Sequence, residues 1–129
     1  MWTFEVRTRE RVCFVDISRD VADLVRGAGD GAVVVFVPHT TAGVTINEDA
    51  DPSVRADLEM ALDRIVPGDL PFRHAEGNSD AHTKASLMGS SVTVPVADGG
   101  LQLGTWQGIY FAEFDGPRRR RVLVSFLGA

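Results

Sequence analysis

The chain contains only three histidines, and each lies in a short polar segment. His39 follows a proline and precedes two threonines, while His74 and His82 flank a polar segment that contains a glycine and an asparagine. Histidine is the usual nitrogen ligand of zinc, and three imidazoles beside one open position form a known catalytic zinc site. Their spacing matches no helical zinc motif, so their convergence depends on the fold. If they converge, the sequence predicts one site holding a divalent metal, with zinc as the first candidate.

Two carboxylates are candidates for proton transfer at this site. Glu76 lies two residues after His74, and Glu48 follows His39 by nine residues. A carboxylate beside a histidine can bind a metal, orient a water molecule or act as a general base. The alternative for Glu76 is a solvated loop carboxylate without a catalytic role.

Four further residues are candidates for binding an anionic substrate: Asn78, Lys84, Ser90 and Arg118. Asn78 and Ser90 adjoin glycines, where backbone N–H groups can surround an anion. Ordinary turn formation accounts for the same residues equally well. Lys84 and Arg118 carry positive charge, which could neutralise a phosphate group.

The length, hydrophobic content and net charge of the chain restrict the kinds of protein that it can be. The 129 residues, with 44% hydrophobic content, suit one domain spanning residues 1–129. The net charge of −5 argues against nucleic acid as the main partner. No apolar run approaches the roughly 20 residues that span a bilayer, and the first residues do not resemble a signal peptide. We therefore expect no membrane partner and a cytoplasmic location.

The pattern of residues predicts an α+β fold with mixed or antiparallel sheets. Residues 3–8 and 11–17 alternate and predict a hairpin. The β-branched run at 32–37 predicts a strand buried on both faces, which ends close to His39. Asp51 and Pro52 predict a helix start. Later segments predict a loop over 67–79, a helix over 80–88 and strands at 91–96, 109–114 and 121–126. This gives six or seven strands and two or three helices.

Several segments in order resemble one family of small bacterial and archaeal proteins. They are His39-Thr40-Thr41-Ala42-Gly43, Asn47-Glu48-Asp49-Ala50-Asp51-Pro52, His74-Ala75-Glu76-Gly77-Asn78-Ser79-Asp80-Ala81-His82, Leu87-Met88-Gly89-Ser90-Ser91, Gly104-Thr105-Trp106-Gln107-Gly108 and Glu113-Phe114-Asp115-Gly116-Pro117-Arg118. Together they resemble the YjbQ family over nearly the whole chain. The resemblance implies a compact α+β domain, a homotrimer, and a metal site at His39, His74 and His82. It also implies a secondary thiamine-phosphate synthase activity. Some members carry a cysteine where this chain has Ala112, so no thiol-dependent role is expected here.

Three functions are consistent with these observations. The first is a metal-dependent enzyme acting on a phosphorylated small molecule, with weak thiamine-phosphate synthase activity as the specific form. The second is a metal-dependent hydrolase of another substrate. The third is a trimeric metal- or ligand-binding module without catalysis, which a metal site closed by four protein ligands would favour.

Overall fold

Two antiparallel sheets pack face to face around a core made largely of valine side chains. The computed structural model describes residues 1–129. In chain order the elements are β1 (Trp2–Arg7), β2 (Cys13–Asp16), α1 (Ser18–Val25), β3 (Gly31–Phe36), β4 (Ala42–Glu48), α2 (Pro52–Ile65), α3 (Ser79–Met88), β5 (Ser91–Ala97), β6 (Gly100–Leu101), β7 (Gln107–Glu113) and β8 (Arg119–Gly128). The predicted α+β class with antiparallel sheets is confirmed.

The elements form three layers. Sheet A has the strand order β1-β8-β3-β5-β6, and sheet B has the order β2-β7-β4. The main core lies between the two sheets, where α1 contributes Val21 and Val25. On the other face of sheet B, a second cluster joins Ala81 and Ala85 of α3 to Tyr110 and Phe114, with side chains of α2 packed against it. Helix α3, which carries His82, is therefore fixed against sheet B.

Strand β7 is buried on both faces from Gly108 onwards, which explains its apolar run at residues 109–112. Ile109 and Phe111 point into the core between the sheets, whereas Tyr110 and Ala112 point towards the helices. Such a strand gains from apolar residues at every position, because neither face meets solvent. The same alternation directs Glu113 towards sheet A, although this position is polar.

The predicted hairpin of residues 3–8 and 11–17 is wrong. Both segments are strands, but β1 pairs with β8 in sheet A and β2 pairs with β7 in sheet B. The short connection between them therefore crosses from one sheet to the other. Strand β2 forms its pairs from Cys13↔Glu113 to Asp16↔Tyr110, so its partner lies far away in sequence.

Strand β3 is not buried on both faces, contrary to the prediction. Val33 and Val35 are fully buried in the core, while Val34 is partly exposed and Phe36 is 40% exposed. On the neighbouring strand β8, Leu127 also points outwards and is 59% exposed. The outer face of sheet A thus carries an apolar strip formed by Val34, Phe36 and Leu127, which no other element of the chain covers.

Helix α2 begins at the signal that the sequence provides, and α3 ends at one. Asp51 caps α2 by accepting a hydrogen bond from the Ser53 N–H at 2.9 Å, and Pro52 occupies the first turn. Helix α3 follows Asn78 and ends at Gly89, whose φ of 95° is easily adopted only by glycine. None of the three helices is long and apolar enough to cross a membrane.

Candidate functional site

A cleft at one end of the sheets contains all three histidines. Its volume is about 440 Å³, and its walls are formed by Pro38, His39, Thr40, Thr41, His74, Glu76, Asn78, His82, Arg118 and Arg120. Four separate segments contribute these residues: the β3–β4 loop, the loop before α3, α3 itself, and the start of β8. The cleft is lined by no apolar side chain apart from the proline ring. It is therefore suited to a polar or charged ligand.

His74 and His82 face each other across the cleft. Their ring centres are 5.3 Å apart with the planes at 88°. Glu76 approaches the same pair, because its Oε1 lies 3.7 Å from Nε2 of His74. His74 and Glu76 are largely exposed, and the Gly77 N–H donates to the His74 carbonyl in the turn that holds them.

His39 is held by the backbone of β8. Its Nε2 accepts a hydrogen bond from the Arg121 N–H at 2.9 Å. A nitrogen that accepts a hydrogen bond carries no proton, so Nδ1 is the protonated nitrogen in the neutral ring. Burial, and after it the positive charge of Arg120, hold the pKa of His39 below its usual range. The imidazole of His39 is therefore neutral at pH 7, with its proton on Nδ1.

A buried ion pair supports the back of the cleft. Glu113 is fully buried and Arg120 is 5% exposed, and the guanidinium donates to both carboxylate oxygens. Arg120 also donates to the Thr41 hydroxyl at 2.9 Å. Burial alone would raise the pKa of Glu113, but hydrogen bonds from Arg120 and Thr8 outweigh it and hold the pKa below its usual range. Since Glu113 belongs to sheet B and Arg120 to sheet A, the pair joins both sheets beneath the His39 loop.

The side-chain amide of Asn78 is held in the wall of the cleft by Asp115. Its Nδ2 donates to Asp115 Oδ2 at 2.9 Å. Because a carboxylate accepts hydrogen bonds, this contact fixes the amide orientation and leaves Oδ1 facing elsewhere. Asn78 is 8% exposed, and its Oδ1 is buried without a hydrogen-bond partner. A buried acceptor without a partner costs free energy, so this amide lowers the stability of the fold at the edge of the cleft.

Arg118 reaches the cleft from a fixed position beside Asp115. Its Nε donates to the Asp115 carbonyl at 2.8 Å, and its Nη2 donates to Asp115 Oδ2 at 3.0 Å. Burial would raise the pKa of Asp115, but the hydrogen bonds from Asn78 and Arg118 lower it overall. A guanidinium has five N–H donors, so three remain for an anion.

Ser90 lies in a recess that adjoins the cleft. The recess has a volume of about 360 Å³ and shares His39, Thr40 and His82 with the cleft. Ser90 also anchors the start of the histidine loop, because its carbonyl accepts from the Val37 N–H at 2.8 Å. Ser90 therefore lines the recess, whereas Arg118 lines the cleft.

Lys84 and Glu48 lie outside the cleft, which corrects two predicted site positions. Lys84 follows His82 by two residues on α3, so it points to nearly the opposite side of the helix. Its side chain is 2% exposed, and its Nζ lies 3.5 Å from Asp63 of α2. Glu48 ends β4, whose first residue, Ala42, lines the recess. The six residue steps from Ala42 to Glu48 along the strand place Glu48 about 20 Å away.

Four residues that line the cleft were not predicted as site residues from the sequence: Pro38, Thr40, Thr41 and Arg120. The run of four arginines at 118–121 gave a usable signal, because strand alternation must direct some of them inwards. Arg120 is buried, while Arg119 and Arg121 are exposed on the outer face. The acidic partner of the inward arginine was not recognisable, since Glu113 lies in a different sheet.

The histidines and carboxylates of the cleft form at most part of a metal site. No group of three or more His, Cys, Asp or Glu side chains is arranged to hold a metal ion. The ring centres of His74 and His82, 5.3 Å apart, are at a separation that two imidazoles on one tetrahedral zinc would have, given Zn–N distances of roughly 2.0–2.1 Å. His39 does not fit in its present orientation, since its Nε2 already accepts from Arg121.

The chain is similar to proteins of one family throughout its length. The family model for "UPF0047 protein YjbQ-like" matches residues 2–129. The UPF0047 protein of Methanocaldococcus jannaschii is 48% identical, covering 99% of this chain and 94% of its own. UPF0047 protein YugU of Bacillus subtilis is 46% identical, covering 98% of both chains.

Solved structures agree with this assignment. A crystal structure of a YjbQ/UPF0047 family protein from Clostridium acetobutylicum superposes with a TM-score of 0.96 at 50% identity, covering 98% of this chain and 100% of the other. A conserved hypothetical protein from Thermus thermophilus gives a TM-score of 0.93 at 44% identity, with 98% and 100% coverage. The resemblance recognised in the sequence motifs is confirmed, and the chain belongs to the UPF0047 YjbQ-like family.

Proposed function

We propose that the protein is a metal-dependent enzyme that acts on a phosphorylated small molecule in the histidine cleft. The observation that supports this most strongly is the convergence of His39, His74 and His82 with Glu76 and Arg118 on one cleft of about 440 Å³. Clefts of about 300–1,000 Å³ suit small ligands. The combination of imidazoles, a carboxylate and a free guanidinium edge matches the needs of phosphate chemistry.

In this proposal His74 and His82 hold the divalent ion, with zinc as the working assignment and Glu76 beside them. When bound, such an ion supplies Lewis acidity and lowers the pKa of a coordinated water molecule. Glu76, whose Oε1 lies 3.7 Å from His74 Nε2, is the general base of this proposal. Arg118 binds the phosphate with its remaining N–H groups.

His39 has a different role from the other two histidines. Because its Nε2 accepts from Arg121, its Nδ1–H is the available group and acts as a hydrogen-bond donor. An N–H donor next to the phosphate site stabilises negative charge that develops on an oxygen atom. This assignment modifies the three-histidine metal site expected from the sequence, in which all three rings bind the ion.

Metal content is the experiment that tests the proposal. Untagged wild-type protein should contain about one metal ion per chain, and His74→Ala and His82→Ala should each lose it, because a site with two imidazoles does not survive the loss of one. His39→Ala should retain most of the metal. Mass spectrometry of the desalted proteins measures all four contents.

The matched control is Thr83→Ala, which changes an exposed residue of α3 beside His82. Unchanged metal in His74→Ala and His82→Ala, or no metal in wild type after reconstitution, would contradict the proposal. Once metal is established, substrates should be screened by release of phosphate and diphosphate. Phosphorylated thiamine precursors come first, and phosphate monoesters follow for the hydrolase alternative.

A trimeric assembly is a second proposal, and the outer face of sheet A supports it. Val34 lies at the centre of this face, flanked by Thr93 and Ser125 on the paired strands. Apolar side chains on an uncovered sheet face gain stability when a second copy covers them. Such an assembly is compatible with catalysis and equally with a non-catalytic binding module.

Light scattering after size exclusion checks the assembly. Wild type should have three times the chain mass of 14.0 kDa. Val34→Lys should shift it towards monomer, because a buried lysine without a partner is costly at an interface. Thr83→Lys, on the far side of the molecule, serves as the charge-matched control. An unchanged mass for Val34→Lys would show that this face is not the interface.

A further inference from the structure

A second pocket next to the histidine cleft is lined almost entirely by arginine. Its volume is about 400 Å³, and its walls are Arg7, Thr8, Arg9, Pro117, Arg118 and Arg119. Four of the 13 basic residues of the chain therefore meet in one pocket of a protein whose net charge is −5. No carboxylate lines this pocket, so its local charge is opposite to that of the whole molecule.

The arrangement of these arginines is unfavourable without a ligand. Arg7 and Arg119 are direct partners across the β1–β8 pair, and like charges at such positions destabilise a sheet. Arg119 approaches Glu5 at 3.9 Å, and Arg118 is paired with Asp115. Arg7 and Arg9 form no salt bridge in the structure. At least two guanidinium groups are thus available for an external anion.

Arg118 connects this pocket with the histidine cleft, because it lines both. The Nε and Nη2 of Arg118 donate hydrogen bonds to Asp115. These bonds hold the guanidinium between the arginine-lined pocket and the cleft. Close to it, Thr8 and Arg118 are joined by hydrogen bonds from the Arg118 N–H to the Thr8 hydroxyl and from the Thr8 N–H to the Arg118 carbonyl. The floor of the pocket is therefore ordered, although the guanidinium groups are exposed.

We propose that the arginine pocket is a binding site for a small anion with at least two negative charges, such as a diphosphate group. Arginine suits this ligand because its planar N–H pairs match phosphate oxygens two at a time. A substrate whose phosphate occupies the cleft would place a second anionic group here, on the other side of Arg118. That connection rests on the proposed function, whereas anion binding by the pocket does not.

Calorimetric titration with inorganic diphosphate tests the site directly. Wild type should bind diphosphate more tightly than orthophosphate, and Arg7→Ser/Arg9→Ser should weaken diphosphate binding about tenfold or more, because two charge-assisted contacts are lost. The matched control, Arg26→Ser/Arg64→Ser, removes the same formal charge from exposed positions elsewhere and should change binding less than about twofold. His74→Ala/His82→Ala should still bind diphosphate, which separates this site from the metal proposal.

Three results would overturn the inference. The first is the absence of diphosphate binding to wild type. The second is binding that His74→Ala/His82→Ala abolishes while Arg7→Ser/Arg9→Ser leaves it intact, because the anion would then occupy only the cleft. The third is tighter binding of a short single-stranded oligonucleotide than of diphosphate with the same dependence on Arg7 and Arg9, because the surface would then recognise a polyanion.

Discussion

Replacing Glu113 with alanine should lower the free energy of unfolding by about 3–5 kcal/mol, the usual cost of breaking a buried ion pair from one side. The variant leaves the Arg120 guanidinium, only 5% exposed, without its counter-ion. A domain of this size is stable by about 5–15 kcal/mol, so the variant should lie close to its unfolding limit. Urea unfolding followed by circular dichroism measures the change.

Two further variants distinguish the effect of breaking the buried ion pair from the effect of removing any charge. Glu5→Ala removes an exposed carboxylate 3.9 Å from Arg119 and should cost less than about 1 kcal/mol. Glu113→Leu/Arg120→Met removes both charges and should be more stable than Glu113→Ala, because no charge remains buried alone. If the double variant is less stable than the single one, the ion pair is not the cause of the loss.

The same pair has a consequence for acid stability. The pKa of Glu113 lies below its usual range in the folded state. Its stabilising contribution is complete above the ordinary glutamate pKa of about 4.3 and is lost as the pH falls through the lower folded value. The free energy of unfolding should therefore decrease more steeply below about pH 4 in wild type than in Glu113→Gln. Equal slopes would show that Glu113 titrates normally.

Gly43→Ala should cost about 2–3 kcal/mol and should also move His82, because overpacking at a rigid contact displaces the backbone. A Cβ at Gly43 would lie 2.5 Å from the Gly89 carbonyl oxygen and 3.2 Å from Met88 Cβ. That carbonyl accepts from the Val44 N–H at 3.1 Å, which ties the end of α3 to β4. The added methyl group must push α3 away from sheet B. Unfolding by urea gives the stability, and the His82 ring signals in NMR report the movement.

Gly100→Ala is the matched control for this prediction. Its added Cβ would lie 3.4 Å from the Ala97 carbonyl oxygen, and Gly100 does not have a positive φ. Its stability should change by less than about 1 kcal/mol. Wild-type stability and unshifted His82 signals in Gly43→Ala would contradict the role assigned to the close contact between β4 and α3.

The sequence predicted those parts of the fold that depend on neighbouring residues. Asp51 and Pro52 mark the start of α2 because capping involves only adjacent groups. The hairpin of residues 3–8 and 11–17 was wrong because alternation identifies a strand but not its partner. The two-sided burial of residues 32–37 was wrong for a related reason, since an apolar run does not reveal whether its outer face is covered within the chain.

The sequence likewise predicted some residues of the candidate site and not others. The three histidines, with Glu76, Asn78 and Arg118, do line one cleft. Lys84 was misplaced because two residues along a helix reverse the direction of the side chain. Glu48 was misplaced because a strand carries its two ends far apart. The type of a residue also does not reveal its chemical role. In His39, the hydrogen bond from the Arg121 N–H determines which ring nitrogen is available.

The position of β8 determines when the protein can fold during its synthesis. This strand is the last in the chain, yet it lies between β1 and β3 in sheet A and pairs with both. Neither neighbour can reach its partner before residues 119–128 have left the ribosome, and β1 must wait for nearly the whole chain. Contacts this distant in sequence favour slow folding. The two halves of the cleft are therefore joined only after residues 119–128 have emerged, and until then a growing chain exposes the unpaired edges of β1 and β3 to other molecules.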